Sequence, residues 1–151
     1  MNNYIEVVFI KDEKNLKISE LSEFLYNLKV FYSIIFEKFG ERINVTEDPH
    51  KIVDIARRIV SEMERVEKRE YFFYTKYNFF RRNLGIKDVF ISKIYKESPL
   101  TIWFIAVNTI LVAALIISGG EIEINFTPPR IRIKIPSIGE GLKKLKEAFK
   151  R

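Results

Sequence analysis

Cysteine is missing from all 151 residues. Its absence excludes disulfides, thiolate metal sites and cysteine nucleophiles together, and fits a reducing cytosol. Glutamine is missing too, and there is one His and one Trp. A lone His50 cannot complete a histidine metal set. It sits four residues from Asp54, close to Asp48, and Asp48 is better used as a helix cap. No GxSxG and no serine with a lysine three residues on is present, so a hydrolase of known triad type is not expected. Phosphate-binding loops are also lacking. Gly139-Glu140-Gly141 resembles half of one, without the third glycine or the Lys-Ser/Thr. Six Gly and five Pro exclude a collagen-like or low-complexity chain. The start, MNNYIEVVFIKDEK, has too short an apolar run for a signal peptide, so the first hundred residues are expected in the cytosol. No residue pattern identifies a cofactor, a metal, a catalytic group or a small-molecule substrate.

What is abundant is aromatic and aliphatic surface. Aromatics make up 14% of the chain, with thirteen Phe and seven Tyr. The heavy use of Ile, Lys and Glu is shared by hyperthermophiles and by AT-rich genomes, and a thermophilic source stays open. Charge is uneven. Arg130, Arg132, Lys134, Lys143, Lys144, Lys146, Lys150 and Arg151 face only Glu140 and Glu147 in the last segment, so the net charge of +6 resides there and the first 129 residues are neutral. Any attraction to anionic lipid or nucleic acid is expected at those eight basic residues.

Tyr4 to Ile10 reads as a strand. Ser19 is placed to cap a helix with apolar positions Leu21, Phe24, Leu25, Leu28, Phe31, Tyr32, Ile35 and Phe39, ending at Gly40. Asp48-Pro49 starts a second helix, with Ile52, Ile55, Ala56, Ile59, Met63 and Val66 as its buried stripe. Helical spacing continues through Phe73, Tyr77, Phe80 and Leu84, to an end at Gly85. The short connection lets these two helical regions pair antiparallel. The interleaved Glu62, Glu64, Arg65, Glu67, Lys68, Arg69 and Glu70 read as a solvated face with short-range ion pairs. Asp88 to Lys96 and Leu100 to Val107 read as a hairpin around Glu97-Ser98-Pro99. Glu121 to Phe126 and Arg130 to Ile135 alternate strictly, giving a second hairpin with Ile on one face and charge on the other. Ser137 and Glu140 have capping-box spacing before a last amphipathic helix with Ile138, Leu142, Leu145 and Phe149 inward.

The long uncharged run, Leu100 to Ser118, has two uses. As one helix it could span a bilayer. Split at Asn108, it gives a strand and a short helix closed by Gly119-Gly120. The split is favoured, because strand formers precede Asn108 and helix formers follow it.

The expected class is therefore α+β, a single domain over 1–151. It has two β-hairpins and an N-terminal strand, two long amphipathic helices, a short apolar helix and a basic C-terminal helix. The run Tyr71 to Arg82 holds more aromatics than one buried stripe uses. Phe72, Tyr74, Phe79, Arg81 and Arg82 are its candidate interface residues. The segments Ser98-Pro99-Leu100, Ser118-Gly119-Gly120 and Pro136 to Leu142 are similar in order to small prokaryotic proteins, a likeness that implies a prokaryotic source and carries no function. The expected function is a non-catalytic interaction or assembly protein of the cytoplasm, with a protein partner or a second copy bound through aromatic and Ile-rich surfaces. The alternatives are a membrane-associated protein anchored by Leu100 to Ser118, with the basic tail at the headgroups, and, more weakly, nucleic-acid binding through that tail.

Overall fold

A computed structural model describes residues 4–11, 16–40, 46–65, 89–95, 99–106, 108–126 and 129–150. In chain order these form β1 (Tyr4–Phe9), α1 (Ile18–Phe39), α2 (Pro49–Arg65), β2 (Phe90–Tyr95), β3 (Leu100–Ile105), α3 (Asn108–Ile117), β4 (Glu121–Phe126), β5 (Pro129–Ile135) and α4 (Ile138–Lys150). The class is α+β. The strands make one mixed sheet in the order β2-β3-β1-β5-β4. Both expected hairpins are present, β2 with β3 and β4 with β5. The N-terminal strand joins them, antiparallel to β3 and parallel to β5.

Alternation decides which face of this sheet is buried. Ile5, Val7 and Phe9 of β1, Leu100, Ile102 and Phe104 of β3, and Ile131, Ile133 and Ile135 of β5 all point to the helices and are buried. The side chains between them, including Glu6, Trp103, Arg132 and Lys134, lie on the other face. Phe9 meets Phe24 of α1 edge to face, with ring centroids 5.5 Å apart.

The uncharged run is split. Its first part is β3, of six residues, and its second is α3, of ten. Neither is long enough for a bilayer span of about 20 residues. Leu100 to Ser118 is therefore not one transmembrane helix, and no described helix is long and apolar enough to cross a membrane. Thr109 to Leu115 are buried without interruption, as expected of a helix that is apolar on all sides and packed within a core. A Schellman arrangement stops it: the Gly119 N–H donates to Ile116 C=O at 2.9 Å and the Gly120 N–H to Leu115 C=O at 3.0 Å. Gly119 has φ of 86°, which a residue with a Cβ rarely adopts.

This central helix also changes how the long helices pack. Among the described residues the expected antiparallel pairing of α1 with α2 is not a main contact, and the part of the second helical region beyond Arg65 lies outside them. Each packs instead on α3, and α1 also packs on α4, because α3 has apolar surface to cover on more than one side. Extra contact surface buries Val30 and Ile34 of α1 beyond its simple stripe. The buried Asn27 and Ser33 satisfy their side chains by donating to the carbonyls of Glu23 and Lys29, four residues back.

The starts of α2 and α4 follow the sequence, whereas Asn108, expected as a cap, is itself the first residue of α3, and α1 starts ahead of its expected cap. Asp48 Oδ1 accepts from the His50 N–H at 3.0 Å, ahead of Pro49. Ser137 Oγ accepts from the Glu140 N–H at 3.1 Å. In α1, Ser19 is not the cap: the helix begins at Ile18, and its N-cap is Lys17, which makes no side-chain capping hydrogen bond. There the Lys17 carbonyl accepts from both Glu20 and Leu21, so the first turn forms ahead of Ser19. The expected continuation of α2 beyond Arg65, with Val66, Phe73, Tyr77, Phe80 and Leu84, lies outside the described residues.

Candidate interaction surface

Among the described residues, the side chains that face the helices from β3, β1 and β5 are buried. Ile91 and Ile94 lie on the helix-facing side of β2, opposite Phe104 and Ile102 of β3. They nevertheless remain 45% and 48% exposed. A β-bulge between Ile91 and Lys93 places the two isoleucines three positions apart on the same face. Tyr26 of α1 is exposed on the facing wall. Its phenol is held above the ordinary 10.0 by burial, which outweighs the opposing pull of Lys29. Between α1 and the two strands runs a groove of about 200 Å³, lined by Leu25, Tyr26, Leu28 and Lys29 of α1 and by Val89, Ile91 and Phe104.

The apolar character continues on the other face. Tyr95 and Ile105 are exposed there, and Lys93 lies 5.9 Å from the centroid of the Trp103 ring. Five of the seven large apolar side chains exposed among the described residues thus gather at one margin, the other two being Ile10 and Ile18. Among the described residues β2 has β3 as its one strand neighbour, and an edge strand of this kind offers its outer N–H and C=O groups for pairing.

The opposite margin is built from charge. Glu6 in β1 is only 7% exposed. Its carboxylate accepts from Arg132 Nε and lies 3.8 Å from Arg130 Nη1, both on β5. Arg132 also reaches Glu123 of β4 at 4.0 Å, and Lys134 bonds Glu123 at 2.7 Å. Those neighbours, first the Lys134 hydrogen bond and then its charge, hold the Glu123 carboxyl below its ordinary 4.5. Arg130 Nε is buried without a hydrogen-bond partner.

The basic residues singled out in the sequence therefore do not make one surface. Arg130, Arg132 and Lys134 lie on the open face of β5 and meet Glu6 and Glu123. α4 packs on the other side of the sheet, where Gly141 approaches both Phe24 and Ile135. On α4, Lys146 bonds Glu23 at 2.7 Å, Lys143 is exposed, and the Lys144 stem lies over Gly119. The side chain of Lys150 lies outside the described residues, as do Arg151 and the candidate interface residues Phe72, Tyr74, Phe79, Arg81 and Arg82.

The Gly139-Glu140-Gly141 segment serves as the start of α4. A Cβ on Gly141 would sit 2.7 Å from the Phe24 ring, so this glycine permits close packing of α4 on α1. Among the described residues no group of three His, Asp or Glu side chains is placed to hold a metal ion.

Sequence reasoning did not single out Tyr26, Ile91, Ile94 or Tyr95. The available signal was the broken alternation of Phe90-Ile91-Ser92-Lys93-Ile94-Tyr95, where a strand with one buried face would keep its isoleucines two or four apart. Compared with known proteins, the chain matches no family model, no curated protein and no solved structure.

Proposed function

We propose that this chain is a non-catalytic interaction protein that assembles with further copies of itself through the β2 margin. The observation that carries this reading is the gathering of Tyr26, Ile91, Ile94, Tyr95 and Ile105 around one edge strand and its groove. Isolated exposed apolar residues are ordinary, but several gathered on both faces of one edge strand mark a contact surface. Strand addition satisfies the backbone, and the flanking apolar side chains supply the burial. Ion pairing within the chain at the opposite margin supports the same choice, since the three β5 cations have carboxylates of their own.

Light scattering after size exclusion tests the proposal. Wild-type protein is expected to show a mass above one chain that rises with concentration. Ile94→Lys is expected to run as a monomer with its thermal midpoint nearly unchanged. A wild-type protein that is strictly monomeric at every concentration overturns the reading.

A further inference from the structure

Resting on that reading, we infer that the β2 margin takes the β4 margin of a second copy, so that subunits join head to tail through one continuous sheet. Three observations lead there. β2 and β4 are the two ends of the strand order. Strand directions relate them: β2 and β1 are both antiparallel to β3, β5 is parallel to β1, and β4 is antiparallel to β5. The two end strands are therefore antiparallel, and β4 of one copy beside β2 of the next forms an antiparallel junction with both helical layers on the same side.

Charge then selects between the possible junctions. Lys93 is the one charged residue of β2, while β4 carries Glu121 and Glu123 and no basic residue. Joining β4 to β4 brings the exposed Glu121 side chains of two copies together, each Glu123 already having Lys134, and joining β2 to β2 brings two Lys93 ammoniums together. Joining β2 to β4 sets Lys93 against glutamates, and like charges across strands are unfavourable where opposite ones are favourable. Faces also match. On the helix side the half-exposed Ile91 and Ile94 meet Ile122 and Ile124, and on the open side Lys93 and Tyr95 meet Glu121 and Glu123. A head-to-tail contact of this kind builds a ring or an open filament, never a closed two-fold dimer.

The test uses two variants of the full chain, each blocked at one margin: Ile94→Lys at β2 and the exposed Glu121→Lys at β4, both checked for wild-type circular dichroism. Alone, Ile94→Lys is expected to associate at least about 100-fold more weakly than wild type, because the contact would bury an unpaired charge, and Glu121→Lys about tenfold more weakly. Mixed, the free β4 margin of the first meets the free β2 margin of the second. A one-to-one heterodimer is expected, with wild-type affinity. A wild-type mass above a dimer's, by light scattering or electron microscopy, agrees with the head-to-tail join.

Two results overturn it. In one, Glu121→Lys assembles as wild type does and gives no heterodimer with Ile94→Lys, which assigns the contact to two β2 strands and leaves self-assembly intact. In the other, wild type is monomeric throughout, which removes self-assembly and this join together.

Discussion

β2 and β4 end the same sheet, yet they are finished in opposite ways. On β4 and the adjoining β5, Glu123 is shared by Lys134 and Arg132, and Arg132 in turn reaches the buried Glu6. Among the described side chains of β2, Ile91, Ile94 and Tyr95 are exposed, as is Lys93, whose ammonium lies 5.9 Å from the centroid of the Trp103 ring. Helix placement produces the difference. α4 follows β5 directly and packs beside it, while among the described residues the helix-facing side of β2 borders a groove beside α1 and stays half exposed. Among the described residues both margins keep an outer strand edge, but one pairs most of its charge inside the chain and the other leaves apolar side chains exposed. Mutations of the ion-paired or closely packed residues near the first should register in stability, and mutations of the exposed apolar residues at the second in assembly.

The strongest way to break the comparison is at Gly120, next to β4. A Cβ there would lie 2.4 Å from Ile133 Cγ2 and 2.9 Å from the Leu115 carbonyl oxygen. Gly120→Ala is expected to destabilise the fold by about 3 kcal/mol in urea unfolding, the range of overpacked cores. Glu6→Ala comes next. It leaves two guanidiniums without their shared carboxylate, and since Arg130 and Arg132 are 35% and 30% exposed, water recovers part of the loss. About 2 kcal/mol is expected, below the figure for a fully buried pair.

At the other margin Ile91→Lys should change stability by less than about 0.5 kcal/mol while lowering the assembled mass. A large loss of stability there would mean that β2 is held by contacts within the chain, and would undo the contrast. The smallest effect concerns Glu123. Its carboxyl is held below 4.5, so its contribution is fully present above that value and is lost as the pH falls through the lower folded value. Unfolding midpoints of wild type and Glu123→Gln should differ at neutral pH and converge in acid. A gap that persists well below the ordinary glutamate range would show that the ion pair is not its source.

Much of the fold could be read locally. The alternation of Glu121 to Ile135 required strands with one charged and one apolar face, and pairing of Ile122 with Ile133 and Glu123 with Arg132 follows that pattern. Asp48-Pro49, Ser137 with Glu140, and Gly119-Gly120 marked helix ends because capping is settled within a few residues. Asn108 divided the apolar run for the same reason, although it is the first residue of α3. The candidate surface was not legible in this way. Ile91 and Ile94 look like buried strand residues in sequence, and their exposure depends on where helices distant in the chain come to rest.

By itself, then, the sequence determined the order and kind of the elements, their inward faces and most of their caps, since these rest on interactions that span a few residues. Tertiary structure alone decided that β1 lies between β3 and β5, that Glu6 meets Arg132 across 126 positions, and that the helix in the apolar run is buried on all sides by the rest of the chain. It also decided which sheet margin is left uncovered. Those outcomes depend on how a limited set of helices shares the apolar face of a five-stranded sheet, a competition among distant segments that local spacing cannot express.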